Sequence, residues 1–264
     1  MYPIFIDKLG KWWRVPEVSD LPNSAALLND QVFVYPGVTE PALYTTAAVL
    51  KIDIAFPVLH GTHGEDGVPQ GLLESAGIPF VGAGVAASAA GMDKVIMKAL
   101  FTQIGLPVAP YIWVSRYFWQ NNASACVQKV ESSFPYPVFV KPANLGSSVG
   151  ITKAHNRSEL EAALKDAAKY DSKLMIEKGL NAREIECSVL GNEQAEASLP
   201  GEIIPKREFY DYVAKYIEDS TELHVPAKLD QNLIQQAREI SVRAFQAIGC
   251  SGMARVDLFL EKES

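Results

Sequence analysis

Short apolar runs alternate with polar loops over the first third of the chain. The runs occupy residues 4–6, 32–35 and 52–59, and a helical stretch follows Gly67. Strands that alternate with helical segments in this rhythm are typical of βαβ units and a parallel sheet. We therefore predict an α/β protein whose first domain, residues 1–88, contains a parallel sheet.

After residue 85 the pattern becomes helical and then mixed. A helix is predicted from Ala86 to Ile104, with Lys94 and Lys98 on its polar side, and Gly105 ends it. The later elements are predicted from their periodicity as strands at 111–114, 138–141, 174–177, 184–190 and 252–260, and helices over 158–169 and 230–248. We therefore expect two further α+β lobes, at 89–180 and 181–264.

Charge and composition exclude several classes of partner. The formal net charge is −7 over 264 residues, and no basic run or arginine patch is present, so a nucleic-acid partner is not expected. The longest apolar stretch, 47–59, is interrupted by Lys51 and Asp53, so no membrane association is expected. The three cysteines are far apart in sequence and lack C-x-x-C spacing, which favours a reducing cytoplasm. A homodimer remains possible.

The segment 139–150 places a lysine at a strand end, before a loop with two glycines and two hydroxyls. Glycine allows close backbone approach, so loop N–H groups can point at phosphate oxygens while Ser147 and Ser148 donate and Lys141 supplies charge. The lysine precedes the glycines, unlike in a Walker P-loop. The segment predicts a phosphate-binding site; a hairpin with a surface lysine is the alternative.

The final strand alternates with a period of two. Arg255 and Asp257 therefore share one face, opposite four aliphatic residues. A carboxylate suits Mg²⁺ and an arginine fork suits an oxyanion, so the functional interpretation is a metal ligand beside a transition-state clamp. A half-buried strand with a surface ion pair is the alternative.

Strand 174–177 ends at an acidic residue and leads into a glycine. Main-chain groups near Lys178 and Leu180 could bond an adenine edge at this hinge, with Glu184 placed for ribose hydroxyls. The alternative is an ordinary strand-to-loop exit, with Glu177 and Glu184 part of a solvated acidic edge.

Two more segments are candidates for contacts with a substrate. The glycine-rich turn 60–67 follows an apolar strand, where open α/β sheets bind ligands, and it begins at His60. The alternative is that its acidic residues favour the start of a helix.

The loop 205–221 carries Tyr210, Lys215 and Tyr216, and its length and polarity predict a lid that excludes water and reaches a phosphate.

Six motifs occur in order along the chain: HGTHGEDG, MDK, KPANLGSSVG, EKGL-x₃-E, FYDYVAKY and GMARVDLFL. Together they resemble the D-alanine:D-alanine ligase family of the ATP-grasp superfamily. The resemblance implies an ATP-grasp fold with a Rossmann-like N-terminal substrate lobe, a central lobe and a C-terminal lobe with a lid. It also implies ATP and Mg²⁺, with Mn²⁺ as an alternative, and ligation of two D-alanines through an acyl phosphate for peptidoglycan precursor synthesis.

The resemblance also implies roles for single residues. The ATP-binding set is Lys94, Lys141, Ser148, Glu177, Lys178, Leu180, Glu184 and Lys215. The catalytic set is Ser147 and Tyr216, which join a network that shuts the lid, and Arg255, which stabilises the tetrahedral oxyanion. Asp257 is implied to bind Mg²⁺, while His60 and Tyr210 border the D-alanine substrate.

Two segments of the family have no counterpart in this sequence. One is the opening Glu-His-Glu-Val-Ser segment, and the other is a later Asn-Glu-Ile-Asn-x-x-Pro-Gly strand that supplies further magnesium ligands. We therefore expect a truncated ligase with little turnover. The rival hypotheses are a ligase that makes D-alanyl-D-lactate or D-alanyl-D-serine, and a non-catalytic nucleotide-binding fragment; the tyrosine-rich loop favours D-alanine as acceptor.

Overall fold

The computed structural model of the chain describes residues 1–19, 30–38, 40–146, 149–205 and 221–262. Its described strands form three sheets, which follow one another along the chain. None of the helices in those ranges combines the length and the apolar character that crossing a bilayer requires.

The first sheet is an antiparallel meander. Its strands, in spatial order, are β1 (Ile4–Ile6), β2 (Trp12–Arg14), β3 (Asp30–Phe33), β4 (Ala42–Thr45) and β5 (Val49–Lys51). Helix α1 (Val68–Ser75) and the residues after it cover the sheet, since Leu73 and Ile78 share a core with Val32, Leu43 and Leu50. The first core is therefore closed by residues from both halves of the predicted first domain.

The parallel sheet predicted for residues 1–88 is wrong for these strands, because every neighbouring pair runs antiparallel. A parallel pair needs a crossover of a dozen or more residues, whereas β1 reaches β2 through a tight turn at Gly10, with φ 77°. Among the described residues, parallel pairing is limited to a bridge between Ala55 and Phe80. The strand predicted at 52–59 reduces to this bridge.

The single helix predicted from Ala86 is broken into α2 (Val85–Met92) and α3 (Lys94–Gln103). Asp93 lies between them in an extended conformation, and its carboxylate accepts from the N–H groups of Val95 and Ile96. An aspartate at this position satisfies N–H groups that have no partner within the helix. The break sets Lys94 on the first turn of α3.

The second sheet has the spatial order β6, β9, β7, β8, and all pairs are antiparallel. These strands are β6 (Tyr111–Ser115), β7 (Val138–Pro142), β8 (Thr152–Ala154) and β9 (Lys173–Lys178), and the helices beside them are α4 (Arg116–Asn121), α5 (Ala123–Ser133) and α6 (Arg157–Ala167). Val130 of α5 and Leu164 of α6 pack against Val138 and Ile176 on one face. Because strand side chains alternate, Lys141 and Glu177 project from the opposite face. The strands predicted here are confirmed.

The third sheet is built around β10 (Ala182–Gly191), which pairs along its whole length with β14 (Gly252–Glu261). The other elements of this part are β11 (Glu196–Ala197), β12 (Gly201–Pro205), β13 (Thr221–His224) and α7 (Gln231–Ala247). Phe245 of α7 packs with Val189 and with Ala87 of α2. A Cβ at Gly252 would lie 2.5 Å from the Gly82 carbonyl, so the first and third parts are in close backbone contact.

Candidate active site

Three charged side chains meet on the face of the second sheet that α5 and α6 leave open. Glu177 is 3% exposed, and each of its oxygens meets a different lysine: Lys98 of α3 lies 2.6 Å from Oε1, and Lys141 of β7 pairs with Oε2. Tyr111 and Phe139 flank Glu177 on the neighbouring strands. The ammonium groups of Lys98 and Lys141 lie 5.4 and 5.6 Å from these two ring centroids. We call Lys98, Glu177 and Lys141 the lysine–glutamate cluster.

The charges of the lysine–glutamate cluster determine its protonation. Burial acts to raise the pKa of Glu177, but the ammonium groups of Lys141 and Lys98 outweigh that effect and hold the pKa below its ordinary value. Glu177 is therefore ionised at neutral pH. Two ammonium groups and one carboxylate leave one net positive charge, which suits an anionic ligand.

Lys94 stands beside this cluster, against the loop that follows β7. Its ammonium group donates to the Leu145 carbonyl at 2.6 Å and lies 3.4 Å from the carbonyls of Pro142 and Ala143. Burial, with the nearby charge of Lys141 acting in the same direction, lowers the pKa of Lys94 to about 8. Lys94 therefore contacts neutral carbonyl groups, and an anionic acceptor such as a phosphate would bind its ammonium group more strongly.

The glycine-rich turn 60–67 lies against the loop after β7. A Cβ at Gly146 would lie 2.8 Å from the Cα of Gly61, so the two backbones can approach this closely because Gly146 lacks a side chain. Within the turn, the Gly61 N–H donates to the Glu65 carboxylate at 2.6 Å. His60 is exposed at its start. The predicted substrate turn and the predicted phosphate loop are therefore neighbours.

Arg255 and Asp257 project from the exposed face of β14, as their spacing predicted. The Arg255 guanidinium donates to both oxygens of Asp257, at 2.8 and 3.0 Å, and lies 3.3 Å from Glu186. The bond with Asp257 raises the pKa of Arg255, and the charges of Glu186 and Glu65 act in the same direction. Because Glu65 belongs to the turn 60–67, β14 and that turn are within electrostatic reach of each other. The Arg255 side chain is 55% exposed, so solvent screens these interactions.

The carboxylates around Arg255 fit a divalent cation in part. Asp257 and Glu186 are cross-strand neighbours, and carboxylate oxygens are the ligands that Mg²⁺ prefers. Within the described ranges, no group of three histidine, cysteine, aspartate or glutamate residues is arranged to hold a metal. Magnesium in proteins commonly keeps phosphate oxygens and water among its ligands, and Asp257 with Glu186 could supply carboxylate ligands beside them.

The hinge between the second and third sheets is fixed by backbone contacts. The N–H groups of Lys178 and Gly179 donate to the carbonyls of Pro110 and Pro137 at 2.9 and 3.0 Å. A Cβ at Gly179 would lie 2.5 Å from the Pro137 carbonyl oxygen, so the hinge requires glycine. Leu180 follows, and Glu184 lies half-buried on β10.

The structure thus brings together Lys94, Lys141 and Glu177, and it places Arg255 and Asp257 near the turn that begins at His60. Five predicted site residues lie outside the described residues and stay predictions: Ser147, Ser148, Tyr210, Lys215 and Tyr216.

The burial of Lys98 was not predicted, because the sequence pattern places this lysine on a polar helix face. Lys98 is 9% exposed and belongs to the lysine–glutamate cluster. Its spacing of four residues from Lys94 places the two lysines on one helix face, but no local pattern indicates that this face is buried.

The family models for the D-ala D-ala ligase N-terminus and C-terminus match residues 1–83 and 100–264. The chain belongs to the D-alanine–D-alanine ligase family. The recognition drawn from the six motifs and the ATP-grasp fold class predicted with it are confirmed.

Curated relatives and solved structures of this ligase family cover nearly the whole chain. D-alanine–D-alanine ligase from Heliobacterium modesticaldum is 50% identical over 99% of this chain and 73% of its own length, and that from Bacillus velezensis is 45% identical over 100% and 76%. Among solved structures, the VanG D-Ala:D-Ser ligase from Enterococcus faecalis has a TM-score of 0.86 at 34% identity, over 98% of this chain and 76% of that one. The D-alanine-D-alanine ligase from Coxiella burnetii has a TM-score of 0.81 at 32% identity, over 97% and 70%.

Proposed function

We propose that this protein binds ATP at the lysine–glutamate cluster and ligates two D-alanines to D-alanyl-D-alanine, the dipeptide of peptidoglycan precursors. The observation that carries the proposal is the positive cluster of Lys141, Glu177 and Lys98, with Lys94 beside it, at a glycine loop that touches the turn 60–67. The relatives named D-alanine–D-alanine ligase support the choice of substrate.

The proposed reaction has two steps. A carboxylate oxygen of the first D-alanine bonds to the γ-phosphorus of ATP while the bond to the β–γ bridging oxygen breaks, which gives an acyl phosphate and ADP. The amine of the second D-alanine then attacks the acyl carbon, loses a proton, and the tetrahedral intermediate expels phosphate. Positioning and electrostatic stabilisation carry such a transfer, so the chain need not supply a covalent nucleophile.

The nucleotide would lie between the second and third sheets. In this proposal, Lys94 and Lys141 bind phosphates, and Ser148 and Lys215 add further contacts. Because the N–H groups of Lys178 and Gly179 already donate to prolyl carbonyls, the adenine would be read by the Leu180 N–H, main-chain carbonyls of the hinge and the Glu177 carboxylate. Glu184, on β10, would bind the ribose hydroxyls.

The chemistry would take place between the turn 60–67 and β14. Arg255 would stabilise the oxyanion of the tetrahedral intermediate, and Ser147 with Tyr216 would close the lid. His60 and Tyr210 would border the D-alanine. Asp257 would hold Mg²⁺, or Mn²⁺ in its place, and a bound ion of this kind neutralises charge on transferring phosphate.

We also propose the three lobes 1–88, 89–180 and 181–264, and each of the three sheets is confined to one of these ranges, which supports the division. The three cysteines are free and buried, which supports a cytoplasmic location, where ATP is available. The homodimer is a proposal that light scattering can check.

ADP release tests the proposed activity directly. We expect the protein to release ADP from ATP in the presence of D-alanine above the rate measured without it, and chromatography should detect D-alanyl-D-alanine. ATP binding without any D-alanine-dependent ADP release would instead support the non-catalytic nucleotide-binding fragment. Failure to bind ATP would end both hypotheses.

Ligation of D-alanine to D-serine is a second candidate, because the VanG structure has the TM-score of 0.86 quoted above. Competition between D-alanine and D-serine as acceptors, with the product ratio measured by mass spectrometry, separates the two. An excess of D-alanyl-D-serine at equal acceptor concentrations would replace the first candidate, and the same assay with D-lactate tests the depsipeptide.

A further inference from the structure

Lys98 belongs to the lysine–glutamate cluster, but the proposed binding mode gives it no contact with the nucleotide. Its ammonium group lies 2.6 Å from Glu177, 3.3 Å from the Ala109 carbonyl and 5.4 Å from the centroid of the Tyr111 ring. All three contacts lie along β6, β9 and the residues just before β6. Lys94, in contrast, donates to carbonyls of the phosphate loop. Lys98 is therefore anchored to the sheet.

Lys141 has a conflicting requirement. In the structure it pairs with Glu177, whereas the proposed function requires it to bind a phosphate. If Lys141 were the sole partner of Glu177, its departure would leave a carboxylate that is 3% exposed without a counter-charge, and an unpaired buried charge is strongly unfavourable. ATP would then have to compete with Glu177 for Lys141.

Lys98 resolves this conflict because it binds the other oxygen of the same carboxylate. If Lys141 turned toward a phosphate, Glu177 would keep one cation, and the contact with Lys98 would hold it beside the hinge. We propose that Lys98 is a positioning residue that holds Glu177 ionised and in place, and thereby releases Lys141 to bind the phosphates of ATP. This inference rests on the proposed ATP site.

Isothermal calorimetry with Mg-ATP on the full chain tests this role. We expect Lys98→Met to weaken ATP binding by about tenfold or more, because Glu177 then retains Lys141, and Lys98→Arg to stay within about threefold of the unmodified protein, because it keeps the charge. Lys165→Met, which removes an exposed lysine near the end of α6, is the matched control and should leave the affinity unchanged.

A double-mutant cycle separates this role from a direct phosphate contact. In a Glu177→Gln background no carboxylate competes for Lys141, so adding Lys98→Met should change the affinity by less than about twofold. The loss of any adenine contact by Glu177 is common to both members of that comparison. An equal loss in both backgrounds would mean that Lys98 acts on the nucleotide itself, and the inference would be overturned.

The other outcomes are also decisive. Unchanged ATP affinity in folded Lys98→Met would overturn the inference while leaving the proposed ATP site in place. Absence of ATP binding by the unmodified chain would remove the proposed site and this inference with it. If Lys98→Met fails to fold in a thermal melt, Lys98→Gln, which keeps a hydrogen-bond donor to Glu177 but loses the charge, takes its place in the same cycle.

Discussion

The two charged groups of this site differ in their burial. The lysine–glutamate cluster is enclosed by the second sheet and α3, with Glu177 3% exposed. The Arg255–Asp257 pair lies on an open strand face, with side chains 55% and 60% exposed. Each group contains a carboxylate paired with a basic side chain. Removing the basic partner destabilises the protein strongly when the carboxylate is buried and only slightly when it is exposed.

This difference in burial explains why the buried Glu177 needs two lysines, whereas the exposed Asp257 does not need a second basic partner. A buried carboxylate has no water to replace a departing partner, so a second lysine is needed before the first can bind a ligand. On β14, water can solvate Asp257 when Arg255 turns to a substrate. Water can likewise solvate Arg255 when Asp257 binds a metal ion. Burial, more than the number of ion pairs, determines which rearrangements are accessible to the site.

Glu177→Gln gives the largest expected effect. It leaves two lysines in a largely buried place without their carboxylate, so we expect the free energy of unfolding to fall by about 3–5 kcal/mol, measured by urea denaturation. The folded pKa of Glu177 is below its ordinary value of 4.5, so its contribution is present above that pH and is lost as the pH falls through the folded pKa. The free energies of unfolding of the unmodified protein and of Glu177→Gln should therefore become more similar in acid. A loss of stability below about 1 kcal/mol at neutral pH would remove the contrast with the exposed pair on β14.

Lys141→Ala should weaken ATP binding by about 1.5–3 kcal/mol, the range for a hydrogen bond to a charged group. Arg255→Ala is the matched comparison on β14 and should leave ATP binding nearly unchanged, because the proposed role of Arg255 begins only when the oxyanion forms. Calorimetry measures both affinities. If folded Lys141→Ala binds ATP as well as the unmodified protein does, the lysine–glutamate cluster is not the phosphate site.

The lowered pKa of Lys94 predicts a pH dependence of ATP binding. A phosphate bound to Lys94 favours its charged form, so the complex holds this proton to a higher pH than the free protein, whose Lys94 pKa is about 8. ATP affinity should therefore be steady below pH 8 and fall above it by up to about tenfold per pH unit, with proton uptake on binding near pH 8. Calorimetry in buffers of different ionisation enthalpy measures that uptake. The affinity of a Lys94→Arg variant for ATP should not fall above pH 8, because arginine stays charged. A constant ATP affinity of the unmodified protein up to about pH 9.5 would contradict the prediction.

Asp257→Asn should have the smallest effect on stability. Asp257 is 60% exposed and its bond to Arg255 is screened, so we expect a change of about 0–1 kcal/mol in the free energy of unfolding. The same urea titration that is used for Glu177→Gln measures it. A loss comparable with that of the buried variant would show that exposure does not separate the two groups.

Some of this fold was predictable because local periodicity specifies it. The strands 138–141, 174–177 and 252–260 were predicted because each has alternating or continuous apolar residues, and β14 kept the predicted face for Arg255 and Asp257. The antiparallel order of the first sheet was not predicted. An apolar run indicates that a strand exists, but its direction depends on a partner that is distant in sequence.

The candidate site divides in the same way. The residue types that can bind phosphate, such as Lys94 and Lys141, could be recognised from the sequence, because glycine, lysine and carboxylate have fixed chemistry and the order of the motifs identifies the family. That Lys98 and Glu177 are buried together, and that the turn with Gly61 contacts the phosphate loop at Gly146, is visible only in the folded chain. Burial and backbone contact depend on packing between segments that are distant in sequence, and no local pattern of polar and apolar residues records that packing.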